Sequence, residues 1–291
     1  MSGMVDLSTV SPAIALGPLD GRYRAVTAPL VNHLSEAALN RARLQVEVEW
    51  LIHLTDNGVL PGAPRLSETE KAYLRGVVED FGAEAIAELG AIEAETRHDV
   101  KAVEYLLKRR LAAAAQAPGV VGADGGPTVL PTVGEIVHIF CTSEDINNLS
   151  YALTIRAAIE QVWLPAARGL VEDLAAMAHE YADAAMLART HGQPATPTTL
   201  GKELAVLTHR LRRQVRRVEA TEYLGKINGA TDAGGLGGRG QAPLEEVLDG
   251  LDVVAGLGLD GAELGDLLGP EVLDDAAQVD LLRLTQARGA G

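Results

Sequence analysis

Aromatic side chains make up only 3% of this sequence, with two Trp, two Phe and six Tyr in 291 residues. The apolar share is nonetheless 47%, so Leu, Val, Ile and Ala must fill the core, a palette that suits packed helices more than a sandwich. The length allows one or two domains. Cysteine is nearly absent. The single Cys141 excludes an internal disulfide and fits a reducing cytoplasm. One Cys and scattered His offer no metal-ligand spacing, so no metal site is expected. No run approaches 18 apolar residues without charge, so a transmembrane span is not expected. Residues 1–19 lack both a basic start and a long apolar stretch, so a secretory signal is not expected either.

Positive charge is also short. The formal net charge is −15, but its distribution is uneven. Residues 232–291 hold 12 acidic residues and 3 Arg, a local balance of −9, with 13 Gly and no Lys, His or aromatic residue. The preceding part carries only −6, and no basic footprint for nucleic acid stands out. The composition breaks sharply near Ala230. Leu-bearing stretches at 244–259 and 262–284 allow only short, marginal helices there.

What is abundant is helical periodicity. Residues 37–54 carry a stripe of Leu44, Val48, Leu51 and Ile52, with charges expected on the other face. Residues 67–91 read as one or two helices opened by a capping box, Ser67 with Glu70. Thr96 and Asp99 are placed to start a helix with the stripe Val100, Val103, Leu107 and Leu111. Residues 116–132, rich in Pro and Gly, read as a surface loop near a domain boundary. Ser143 is expected to cap a helix carrying Ile146, Leu149, Leu153 and Ala157. Two long helices are expected at 164–187 and 200–224. The second, roughly 35–40 Å long at 1.5 Å per residue, is of a kind that belongs to bundles, often shared between subunits.

Between those two helices lies Arg189-Thr-His191-Gly-Gln-Pro-Ala-Thr-Pro-Thr-Thr-Leu-Gly-Lys-Glu203. Gly192, Pro194 and Pro197 stop any helix passing through. Thr196 with Pro197 is expected to open the following helix. A polar segment on a rigid frame is a way to present an acid/base imidazole, here His191. The same spacing fits a plain turn with a solvated His. Three further clusters gather polar chemistry. Asp20-Gly21-Arg22-Tyr23-Arg24 is a Gly turn offering guanidiniums and a phenol, suited to phosphate or carboxylate or to simple solvation. Arg97, His98 and Asp99 sit at a helix start, where N–H groups favour anions. Thr142 and Ser143 precede Asn147 and Asn148 in a stretch that capping alone does not explain. His138, amid Ile136, Val137, Ile139 and Phe140, reads as a packed core histidine. The Arg run at 210, 212, 213, 216 and 217 reads as the wet side of its helix.

In order, Gly-Pro-Leu-Asp-Gly-Arg-Tyr, Thr-Arg-His-Asp-Val-Lys-Ala-Val-Glu-Tyr, Cys-Thr-Ser-Glu-Asp-Ile-Asn-Asn-Leu, Arg-Thr-His-Gly-Gln-Pro-Ala-Thr-Pro and Gly-Lys-Ile-Asn-Gly-Ala occur between residues 16 and 230. Together they resemble the bacterial adenylosuccinate lyases of the fumarase/aspartase superfamily. The resemblance implies an all-α fold: an N-terminal helical domain (1–117), a Pro/Gly-rich loop (118–132) and the first, truncated part of a long-helix bundle (133–230), then a divergent tail (231–291). It implies a cytoplasmic homotetramer with composite sites, no cofactor, and no nucleic-acid or membrane partner. The implied reaction is β-elimination of fumarate from adenylosuccinate and from succinylamino-imidazole-carboxamide ribotide, two anionic nucleotides of purine synthesis. His191 matches the family's general acid. Arg22, Tyr23, Arg97, His98, Asp99, Thr142 and Ser143 match its substrate contacts.

One part of the family pattern is missing. The relatives' Ser-containing loop, which supplies the catalytic base, has no counterpart, because neither Ser nor Lys follows Lys226. An inactive or frame-shifted form, keeping the scaffold and part of the site, is therefore the alternative expectation. Gly235-Leu-Gly-Gly-Arg-Gly240 fits a dinucleotide fingerprint, but it lacks a preceding strand and is set aside.

Overall fold

The computed structural model describes residues 5–7, 23–60, 62–227 and 242–243. These are all-α apart from two short antiparallel pairs. Arg22, the Gly-rich motif at 235–240 and the short helices expected within 244–284 lie outside the described residues. The chain forms two compact units, one from Met1–Ile155 with Tyr223–Gly291, the other from Arg156–Glu222.

The first unit is built on α1 (Arg24–Leu34), α2 (Glu36–Asp56), α3 (Glu68–Glu79), α4 (Ala83–Thr96), α5 (Asp99–Ala113) and the start of α6 (Ser143–Ala158). Its main core joins Leu44, Val48 and Leu51 of α2 to Leu74 and Phe81, Leu89 and Ile92, and Val103, Leu107 and Leu111. The expected stripes of α2 and α5 are thus buried. The expected wet face of α2 is not present. The helix packs against α1, α3 and α5, and Asn40, Arg41, Arg43, Glu47 and His53 are buried with the apolar residues. Such groups must find partners inside, and those of Arg43 and Glu47 turn out to build the site.

Local capping decides where helices begin. The Ser67–Glu70 capping box forms as expected, and buried Glu70 also accepts from Thr128 Oγ1 at 2.6 Å and Val129 N–H at 2.7 Å. One carboxylate therefore starts α3 and pins the Pro/Gly-rich loop. The α5 cap is His98 rather than Thr96: its Nδ1 accepts from the Lys101 N–H at 3.3 Å. Thr96 bonds the His98 carbonyl instead.

The second unit holds α7 (Leu164–Glu180), β1 (Ala185–Thr190), β2 (Gln193–Thr199) and α8 (Leu200–Glu219). Both long helices are shorter than their periodicity suggested. The first ends at Glu180 because residues 185–190 pair with 193–199 as a hairpin. The second ends at Glu219, giving about 30 Å at 1.5 Å per residue. Thr199, not Thr196, caps α8 by accepting from the Lys202 N–H. The reason is the strand, since Gln193 to Thr199 are already paired and the helix starts where pairing stops. Leu164 and Val171 pack on Val215, with Leu211 and Val218 at the margin. The Arg residues at 210, 212, 213, 216 and 217 are exposed, as expected.

Candidate active site

The Thr142–Ser143 element enters α6 through a strained approach. His138 and Phe140 both have φ +66°, an αL conformation that costs a non-Gly residue roughly 1–2 kcal/mol. Two contacts hold it. Trp50 Nε1 donates to the Ile139 carbonyl at 2.8 Å, and His138 Nδ1 lies 2.6 Å from Glu47 Oε1, with Glu104 Oε1 3.7 Å from Nε2. His138 is thus an ion-pairing bridge rather than a histidine packed only among apolar groups. Burial opposes its charged form, but Glu47 and Glu104 outweigh that and hold its pKa above the ordinary histidine range. Burial pushes the Glu47 carboxyl up, against the pull of His138. Burial, with Glu47 and Asp145 near, also raises the Cys141 thiol far above neutrality, which removes it as a nucleophile.

Thr142, not Ser143, caps α6. The buried Asp145 carboxylate accepts from the Thr142 N–H at 2.8 Å and its hydroxyl at 3.0 Å. This frees Ser143, whose Oγ lies 3.5 Å from His98 Nε2 across 45 residues of sequence. Because His98 Nδ1 serves as the cap acceptor, its neutral ring carries the proton on Nε2, facing Ser143. Two helix N-termini, those of α5 and α6, therefore meet at this contact, and each favours negative charge.

Asp99 completes the turn. Its Oδ1 accepts from the Val100 N–H at 2.9 Å, and its Oδ2 pairs with Arg43 at 2.6 Å. Burial works against its charge, but these two partners hold its carboxyl below the usual carboxylate range. Arg97, the αL C-cap of α4 at φ 53°, is exposed beside it. An open pocket of about 420 Å³ is lined by Asn40, Arg43, Glu93, Arg97, His98 and Asp99, among others.

The two asparagines also have separate tasks. Asn147 accepts from Arg43 Nε at 2.9 Å. Asn148 makes a two-way amide link with Lys226, accepting from its N–H and donating to its carbonyl, which fastens the Lys226–Ile227 segment to α6. Arg43, Asn40 and the Glu47–His138–Glu104 bridge were not among the sequence candidates. Their only signal was a polar stripe at 40, 43 and 47 on a helix otherwise full of apolar residues, a pattern that a solvated face also gives.

Arg97, His98, Asp99, Thr142 and Ser143 thus lie within the first unit. Tyr23, exposed, precedes α1 and its carbonyl accepts from Thr27. His191 belongs to the second unit. It sits at the tip of the β1–β2 hairpin, where Thr190 pairs with Gln193 and His191 and Gly192 have φ 50° and 76°. Two successive positive φ values mark the primed turn that closes two-residue hairpins. The imidazole is exposed there, presented by paired strands rather than by an irregular loop. Among the described residues no cluster of His, Cys, Asp and Glu is arranged to hold a metal ion, and no helix is long and apolar enough to cross a membrane.

Comparison with known proteins adds to this geometry. A family model described as lyase matches residues 21–262. The chain is 42% identical over 226 residues to the adenylosuccinate lyase of Haemophilus influenzae and 42% identical over 221 residues to that of Escherichia coli K12. These matches cover 78% and 76% of this chain. The chain spans about half the length of these relatives, 46% of each. Among solved structures, a fumarate lyase from Mesorhizobium sp. BNC1 aligns with TM-score 0.56 at 22% identity, covering 80% of this chain and 48% of that one. A 3-carboxy-cis,cis-muconate lactonizing enzyme from Pseudomonas putida aligns with TM-score 0.55 at 21% identity, covering 77% and 46%. At that identity the likeness speaks for the fold.

Proposed function

The chain belongs to the lyase family, and from that premise we propose that its site serves adenylosuccinate lyase-type β-elimination in purine nucleotide synthesis. The substrates are adenylosuccinate and succinylamino-imidazole-carboxamide ribotide. A base takes the proton from the carbon beside a carboxylate, the C–N bond breaks, fumarate forms, and an acid protonates the departing nitrogen. His191 is the acid. Arg22, Tyr23, Arg97, His98, Asp99, Thr142 and Ser143 contact a substrate that carries a phosphate and two carboxylates. The protein works in the cytoplasm as a homotetramer.

The observation that carries this reading is the meeting of His98 and Ser143 at two helix N-termini beside the Arg97 pocket. Arg97, His98 and Ser143 offer cationic and hydroxyl donors there, beside Glu36, Glu93 and the Arg43-paired Asp99, and the two helix N-termini favour an anionic ligand. A second reading rests on the base. Residues 227–291 contain no Ser, and in this alternative the chain is an inactive truncated or frame-shifted form that keeps the scaffold and part of the substrate site and binds the nucleotide without turning it over.

Fumarate release and AMP binding by the purified chain test both. Release that falls about 10²–10⁴-fold in His191→Ala, the usual worth of general acid–base catalysis, supports the first reading. AMP binding without release supports the second. Neither binding nor release overturns both.

A further inference from the structure

We propose that Arg43 is a positioning residue of this site, a buried tie that fixes the start of α5 relative to the N-terminal part of α6. Its side chain is 6% exposed. Nη2 donates to Asp99 Oδ2 at 2.6 Å, Nε to Asn147 Oδ1 at 2.9 Å and Nη1 to Asn40 Oδ1 at 2.8 Å. One guanidinium therefore holds acceptors on α5, on α6 and on its own helix, 56 and 104 residues apart in sequence from the first two. Its fork of donors fits three acceptors at once, whereas a lysine ammonium is a point charge that serves one direction.

The consequence falls on His98 and Ser143. His98 directly precedes Asp99, and its ring is kept in one tautomer only while Nδ1 accepts from the Lys101 N–H. Ser143 lies one turn before Asn147 on α6. Val100 of α5 packs with Ile146 and Leu149 of α6 and keeps the two helices together, but apolar burial is non-directional, so Arg43 is the polar tie that sets the 3.5 Å approach of Nε2 to Oγ. The Asp99 side chain is 45% exposed, so loss of Arg43 leaves its carboxylate to water and to His98, whose Nδ1 is already 3.5 Å from Asp99 Oδ1. Arg43 acts through these two residues, not on the reacting bonds.

The proposal rests on the nucleotide-site reading for its functional meaning, and the test separates the two. The full chain is labelled with ¹⁵N-histidine, His98 is assigned by loss of its signals in His98→Gln, and AMP is the probe. In the parent chain the two ring nitrogens of His98 should resonate far apart, as one fixed tautomer does. In Arg43→Lys they should move toward averaged positions, and AMP affinity should fall about tenfold, with helix content retained by circular dichroism. Unchanged His98 signals in a folded Arg43→Lys chain would overturn the proposal. Should Arg43→Lys not fold, Asn147→Ala cuts the other end of the tie and must produce the same His98 change. Absence of AMP binding by the parent chain would sink the nucleotide reading alone, while the His98 signals still decide the role of Arg43.

Discussion

His191 and Gly201 show how a single backbone constraint changes what a mutation measures. At φ 50°, His191 occupies a conformation that Asn tolerates and most residues resist. His191→Ala therefore mixes loss of the imidazole with added turn strain. His191→Asn should keep the hairpin and the thermal midpoint while removing the acid, so any turnover it lowers is chemical in origin. A thermal midpoint that falls as far in His191→Asn as in His191→Ala would refute the turn argument. Gly201 presents the opposite case. Gly→Ala inside a helix ordinarily stabilises by roughly 1 kcal/mol. Here a Cβ would strike the Ala178 carbonyl oxygen and lie 2.6 Å from Ala182 Cα, both backbone atoms of the preceding segment. The expected sign is reversed: Gly201→Ala should destabilise by about 1–3 kcal/mol, the range for overpacking, as read by denaturant unfolding. A gain in stability would show that the close approach of α8 to the end of α7 is looser than it stands here.

At the scale of elements, the segment linking Val137 to α6 depends on ionisation. His138 is held between Glu47 and Glu104 with its pKa above the ordinary range, and buried Glu47 is raised as well. Lys101, which pairs with Glu104 at 2.8 Å, and Asp145 complete the charged surroundings. Both shifts mean that the folded chain holds protons more tightly than the unfolded one. The stabilisation from His138 is then complete below its unfolded value and is lost as pH rises through the folded one. The thermal midpoint should therefore fall between about pH 6 and pH 8, near and above the ordinary histidine value, and His138→Gln should flatten that slope. A midpoint that rises over this interval, or an identical slope in His138→Gln, would refute the bridge. This also marks where reading the sequence stops. Periodicity located α2 to α8, though not α1, and ran past the ends of α7 and α8, because apolar spacing is a local signal. Ser67–Glu70 was legible for the same reason. The Asn40, Arg43 and Glu47 stripe was not, because a polar stripe looks alike whether water or other helices cover it. His191 was found by its neighbours Gly192, Pro194 and Pro197, yet those residues forbid a helix without saying whether a loop or a hairpin replaces it.

For the whole molecule, the second unit leaves much apolar surface uncovered. Its α7–α8 pair buries Leu164, Val171 and Val215, while Leu170 is 54% exposed, Leu207 45% and Val206 44%. Met177 and Leu187 are exposed as well. Single exposed apolar residues are ordinary, but several on one pair of helices mark a surface built to be covered. In the proposed homotetramer, long helices from each copy meet in a shared bundle, which accounts for a helix pair that buries so little of its own apolar surface. The expected outcome is self-association of the purified chain, as tetramers or as larger, ill-defined assemblies. Sedimentation velocity measures this directly. Leu170→Gln with Leu207→Gln should shift the distribution toward monomer while helix content is retained, because both positions are solvent-facing within the unit and neither is placed in the nucleotide site. A parent chain that sediments as a monodisperse monomer would refute the reading of this surface, and with it the proposed assembly.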